Sequence, residues 1–192
     1  MANKLLCIGD SLTYGYGVSK NECWVTLLEE SLNTTIINKG INGDTTASML
    51  NRFYENISKY NPDIVFIMGG TNDLLCGRKL NNIVDNIEEM ILDCIFNNSA
   101  VIVGIPPTII KEMAESLFMP SHLYDYCDTS LPKLRTSLIE LCNKYDINYI
   151  DFYNISINNI DKNIFIDGIH LNSIGNIIMK DEALRIINSN IF

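Results

Sequence analysis

Ser11 stands in Gly9-Asp10-Ser11-Leu12, directly after a short apolar run and just before a Gly-rich turn, Gly15-Tyr16-Gly17. A serine on a tight strand-to-helix turn exposes its hydroxyl and points its own N–H into a cleft, and glycines let backbone come close to a bound substrate. His170 follows Asp167 by three residues in Asp167-Gly168-Ile169-His170. In a bent loop that spacing lets the carboxylate reach Nδ1, fix the tautomer and stabilise the imidazolium, which leaves Nε2 to take a serine proton. Asn72, in Gly69-Gly70-Thr71-Asn72-Asp73, closes an apolar stretch and offers a side-chain amide to developing negative charge. One such donor is worth about 10²- to 10³-fold in turnover. Gly43, in Asn42-Gly43-Asp44-Thr45-Thr46, adds an unshielded backbone N–H as a second donor. Asp10 and Asp73 fit supporting roles, as helix caps or loop anchors beside the reacting groups.

Each block also has a plainer meaning. Gly-Asp-Ser serves as a capping turn, Asn42-Gly43 as an ordinary turn, Asn72 as a turn residue, and Asp167 as a cap. The first block is not a phosphate-binding loop, because neither Gly-Lys-Ser/Thr nor Gly-x-Gly-x-x-Gly follows it. There are two histidines, and His122, with Asp125 three residues on, is the rival base. It lies outside any strand-to-helix loop, so a surface or lid role is expected for it.

The blocks need elements to hold them. Short apolar runs alternate with amphipathic stretches, the pattern written by a parallel sheet covered by helices on both faces. Strands are expected at Lys4 to Ile8, Thr35 to Asn38, Asp63 to Met68, Ala100 to Ile105 and Ile147 to Asp151. Apolar residues at helical spacing predict helices over Glu22 to Leu32 and Ile83 to Phe96, and a shorter one opening at Thr45. Pro106-Pro107 stops regular structure. Thr108 to Ser130, rich in apolar and aromatic residues, reads as an insertion or lid before a helix from Leu131 to Lys144. A last helix is expected from Ser173, as its cap, to Ile187. In a doubly wound sheet the loops after the strands share one rim, where ligands bind. That arrangement carries Ser11, Asn72 and His170 to one place.

Composition narrows the class. A chain of 192 residues with 47% hydrophobic content fits one domain, 1–192, with a core that needs no disulfide or metal. A net charge of -9 with only 14 Lys plus Arg disfavours nucleic acid as a partner. No stretch approaches the roughly 18 apolar residues of a membrane helix, and the run before Gly9 is too short for a signal core, so a cytoplasmic protein without a stable membrane anchor is expected. Cys7, Cys23, Cys76, Cys94, Cys127 and Cys142 lack Cys-x-x-Cys spacing and are expected as buried reduced thiols. In that compartment the Asn-x-Ser/Thr triplets carry no glycan.

With Gly9-Asp10-Ser11-Leu12-Thr13, Gly43-Asp44-Thr45-Thr46, Gly70-Thr71-Asn72-Asp73 and Asp167-Gly168-Ile169-His170-Leu171 in this order and spacing, the chain resembles the SGNH hydrolase superfamily, also called GDSL esterases and lipases. The likeness spans nearly the whole chain and is nearest to lysophospholipase L1 and thioesterase I-like enzymes. It implies a flavodoxin-like three-layer α/β/α sandwich around a five-stranded parallel sheet. It further implies Ser11 as nucleophile, His170 as base, Asp167 as the orienting acid, and an oxyanion hole from Ser11 N–H, Gly43 N–H and the Asn72 side chain. The substrate implied is a small-molecule ester or thioester, hydrolysed without cofactor or metal. The aromatic first block (Tyr14, Tyr16) and the 108–130 segment depart from the family pattern, so acyl preference does not carry over. Two other functions fit parts of the pattern: an O-deacetylase of small acetylated sugars, and a non-catalytic flavodoxin-like ligand-binding domain.

Overall fold

The computed structural model describes residues 4–190. Five strands, β1 (Leu5–Gly9), β2 (Ile36–Gly40), β3 (Ile64–Met68), β4 (Ala100–Ile105) and β5 (Asn148–Asp151), pair in parallel in the order β2-β1-β3-β4-β5. Around them lie α1 (Ser11–Tyr14), α2 (Trp24–Leu32), α3 (Thr46–Asn51), α4 (Phe53–Tyr60), α5 (Thr71–Leu75), α6 (Leu80–Phe96), α7 (Lys111–Leu117), α8 (His122–Tyr145), α9 (Phe152–Asn158) and α10 (Ser173–Asn190). The expected α/β sandwich is thus the observed one. Each strand lies within two residues of its expected span.

Both sheet faces are covered, which is why β1 and β3 are apolar at every position instead of alternating. Leu6, Ile8, Val65, Ile67, Val101 and Val103 face Met49, Phe53, Ile87, Met90 and Leu134 from α3, α4, α6 and α8. Leu5, Cys7, Phe66, Met68 and Ile102 face Trp24, Leu28, Met179 and Ala183 from α2 and α10. Strand order reverses between β1 and its two neighbours, β2 and β3. Ligand crevices in open α/β sheets form at the carboxyl ends of the strands flanking such a reversal. Ser11 follows β1 and Asn72 follows β3.

Helix starts depart from expectation in several places: α2 begins at Trp24 instead of Glu22, and α6 at Leu80 instead of Ile83. α8 begins at His122, nine residues before Leu131, with Ser121 Oγ accepting the Leu123 N–H at 3.2 Å. Pro132 therefore sits inside the helix, where it withholds one backbone N–H. Cys127, Leu131, Leu134 and Leu138 form one buried face at helical spacing, and that burial outweighs the lost bond. The segment 108–130 accordingly holds α7 and the first turns of α8 instead of irregular chain. At α10 the cap is Asn172, whose Oδ1 accepts the Gly175 N–H at 3.1 Å. Ser173 Oγ instead donates to Glu22 Oε1 at 2.7 Å.

Candidate active site

Asp10 ends the β1 turn and caps α1, its Oδ1 accepting the Leu12 N–H at 2.9 Å. Ser11 is consequently the first residue of that helix. Trp24, packed against Phe66 and Phe152, donates its indole N–H to the Leu12 carbonyl at 2.9 Å and so fixes α1 to the core. Ser11 Oγ lies 2.9 Å from His170 Nε2.

His170 is held by a tight turn. Asp167 Oδ1 accepts the backbone N–H of Ile169 at 2.9 Å and of His170 at 2.8 Å, while Oδ2 lies 2.7 Å from His170 Nδ1. Gly168 has φ +87, and a Cβ there would sit 2.4 Å from the Ile110 carbonyl, so only glycine closes this turn against α7. Burial pushes the Asp167 carboxyl up, but the His170 ring and the two backbone donors outweigh it and hold the pKa below its ordinary value. An ionised carboxylate only accepts, so Nδ1 carries the proton and Nε2 presents its lone pair to Ser11.

Asn176 braces the same loop from behind, its Nδ2 donating to the Leu171 carbonyl at 3.1 Å and its Oδ1 accepting the Trp24 N–H at 3.0 Å. One core residue, Trp24, thereby touches the supports of both Ser11 and His170. The Tyr16 ring covers the imidazole with centroids 4.4 Å apart.

The two other expected donors follow β2 and β3 on the same rim, Gly43 in a loop and Asn72 in the first turn of α5. Gly43 has φ +77, and a Cβ there would meet nothing within 4 Å, so backbone shape rather than space calls for glycine. Asn72 Nδ2 donates to the Asp44 carbonyl at 2.9 Å, which orients the amide. Asp73 is buried and accepts from Thr46 N at 2.8 Å and Thr46 Oγ1 at 2.9 Å, tying the start of α3 to α5. Burial raises its pKa against those two bonds.

Asp10 is 1% exposed, and its Oδ2 has no hydrogen-bond partner among the described residues. Burial pushes its pKa up to about 7, with Asp44 and Asp73 adding to the rise and Leu12 N–H and His170 opposing it. The folded protein therefore keeps this proton up to about pH 7, whereas an unfolded chain releases it near pH 4. Folded protein binds more protons in that window, so this group makes stability fall as pH rises, by at most about 1.4 kcal/mol per pH unit. Asp10→Asn, which keeps the Leu12 cap, is expected to flatten that slope in urea-unfolding midpoints measured at about pH 5 and about pH 7.5.

His122 is exposed at the start of α8 and is not brought to Ser11, and Asp125 is paired with Lys111 at 2.7 Å. All six cysteines are free thiols; five are buried as expected, and Cys76 is exposed because α5 ends there at the surface. Burial pushes Cys94, Cys127 and Cys142 up to about 12. Among the described residues no group of three or more His, Cys, Asp or Glu side chains is placed to hold a metal ion, and no helix is long and apolar enough to cross a membrane. Asp44, Arg52, Tyr16, Trp24 and Asn176 do not stand out as site residues in the sequence. Their contacts join positions distant in the chain or parts of a folded loop, which local spacing does not encode.

A model of the GDSL-like Lipase/Acylhydrolase family matches residues 7–177. The chain is similar to an arylesterase of Vibrio mimicus, 33% identical over 125 residues that cover 61% of this chain and 62% of that protein. It is also similar to thioesterase 1/protease 1/lysophospholipase L1 of Escherichia coli strain K12, 31% identical over 94 residues, 48% of this chain and 45% of that one. The match thus spans less than two thirds of either curated relative. In fold, it resembles a member of the lipolytic protein G-D-S-L family from Veillonella parvula, with a TM-score of 0.82 at 24% identity over 96% of this chain and 98% of that chain.

Proposed function

Because the chain belongs to the GDSL-like lipase/acylhydrolase family, we propose that it is a serine hydrolase of small-molecule carboxylic esters or thioesters, acting through an acyl-enzyme. The observation that carries this reading is the unbroken hydrogen-bonded series Ser11 Oγ, His170 Nε2, His170 Nδ1, Asp167 Oδ2, at 2.9 and 2.7 Å. Ser11 Oγ attacks the carbonyl carbon while its proton passes to Nε2. The carbonyl oxygen becomes an oxyanion, taken up by the N–H groups of Ser11 and Gly43 and the Asn72 amide. Collapse of this intermediate expels the alcohol or thiol, which receives the proton from Nε2. Water then gives a proton to Nε2 as it attacks the acyl-Ser11 carbonyl, and the acid leaves with Ser11 Oγ reprotonated. Asp167 holds Nδ1–H throughout, and the steps need neither metal nor cofactor.

The substrate class rests on the names of the relatives, one an arylesterase and one a thioesterase/lysophospholipase. Tyr16 and Ile166 expose apolar surface beside His170, as Leu117 and Phe118 do at the end of α7, which suits an acyl chain lying against 108–130. A reducing, cytoplasmic setting agrees with the free buried thiols. A fluorophosphonate probe is expected to add about one equivalent to wild type, located at Ser11 by peptide mass spectrometry. Folded protein that stays unlabelled would refute the proposal. p-Nitrophenyl esters of rising chain length, run beside acetylated sugars, assign the acyl class; turnover confined to the sugars favours an O-deacetylase.

A further inference from the structure

Arg52 joins α3 to α4, with backbone φ -101 and ψ 0, and its side chain turns back toward the rim. Its Nε donates to Asp44 Oδ2 at 2.9 Å, and one terminal nitrogen reaches the same oxygen at 2.7 Å and the Gly9 carbonyl at 3.2 Å. The side chains are 17% and 8% exposed, so the pair is largely shielded from water. The two acceptors are telling. Gly9 is two residues before Ser11, and its carbonyl also takes the Ile41 N–H at 3.0 Å. Asp44 follows Gly43, and its own carbonyl is the acceptor that orients Asn72 Nδ2.

We propose that Arg52 is a positioning residue for the oxyanion hole, pinning the loop that carries Gly43, and through Asp44 the Asn72 amide, to the strand end that carries Ser11. This rests on the serine hydrolase reading above. A hydrogen-bond donor stabilises a transition state only while fixed where the charge develops, and a misplacement of about 1 Å costs up to about 10²-fold. Without the guanidinium, a shielded Asp44 carboxylate is left unpaired, and the cheapest relief is for 41–45 to move toward water. That movement drags the Gly43 N–H and releases Asn72. Asp73, bonded twice to Thr46, holds the far side of the loop, so the fold survives while the donors shift.

The test compares wild type, Arg52→Met and Arg52→Lys on a short-chain p-nitrophenyl ester, with a trifluoromethyl ketone of the same acyl group as a mimic of the tetrahedral adduct. Arg52→Met is expected to lose about 10- to 100-fold in kcat with KM within about twofold, and to bind the ketone more weakly by the factor lost in kcat/KM. Arg52→Lys, which keeps a cation at Asp44 but lacks the fork, is expected to recover part of the loss. An unchanged kcat, or a loss carried by KM with ketone affinity intact, overturns the proposal. If Arg52→Met does not fold, Arg52→Lys is held to the same criteria. The side-chain amide resonance of Asn72 reads the brace independently of turnover: it shifts in the variants if the brace exists, and an unmoved signal overturns it. Wild type that hydrolyses no ester and takes no fluorophosphonate defeats the hydrolase reading instead, with the Asn72 signal still deciding on Arg52.

Discussion

Ser11→Ala is expected to lower kcat on a p-nitrophenyl ester by about 10⁵- to 10⁶-fold, leaving the residual rate that binding and the oxyanion donors alone supply. The size follows from the hydroxyl's place in the series with His170 and Asp167, where in the proposed mechanism it is the atom that bonds to the substrate. Stability should change by no more than about 1 kcal/mol, because His170 Nε2 is the Oγ partner and a lone side-chain hydrogen bond contributes about that much. The helix start is unaffected, since Asp10 and not Ser11 supplies the cap. Removing His170 as well should cost almost nothing further, as members of one reacting unit are far from additive. Urea unfolding and steady-state kinetics on the same samples separate the two effects. A Ser11→Ala enzyme within tenfold of wild type would mean another nucleophile.

How much of the molecule is legible in the chain varies with the range of the interaction. β4 can be read to the residue, because an apolar run of strand length meets Pro106-Pro107, which cannot extend it. The start of α8 is hidden, because His122, Asp125 and Asp128 mask an apolar face that shows only once Cys127 and Leu131 are seen against the sheet. Pro132 deepens the concealment, since proline is at home in a first helical turn. At the site, each block on its own also spells a turn or a cap, and Ser11 and His170 meet across 159 positions only because parallel strands return every loop to one rim. Glycines that must adopt positive φ, such as Gly168, leave a signal in the sequence. Arg52 leaves none: its acceptors are an Asp eight residues back and the carbonyl that ends β1, and only the folded loop brings them together.

His170→Ala is expected to lose on the order of 10⁵-fold in kcat and to abolish fluorophosphonate labelling at Ser11, whereas His122→Ala should stay within about twofold of wild type. The contrast discriminates because both histidines have a carboxylate three residues away in sequence, and only one pair is assembled. Asp167 spends Oδ1 on two backbone N–H groups and Oδ2 on the ring, so the turn fixes carboxylate and imidazole together. Asp125 is bound to Lys111, and His122 stands in solvent at a helix start. Asp167→Asn supplies the intermediate case. The amide can no longer hold Nδ1–H as an anion does, and a loss of about 10⁴-fold is expected with the ring still in place. Because the Asp167 pKa is held below its ordinary value, the carboxylate remains ionised through the acid range in which an imidazole gains its second proton. The acid limb of the wild-type kcat/KM profile should then not come from Asp167; it should be altered in His170→Ala, and in Asp10→Asn through the carboxyl that burial lifts to about 7, while persisting in His122→Ala. A limb unchanged both by the loss of His170 and by Asp10→Asn would place the general base elsewhere on the rim.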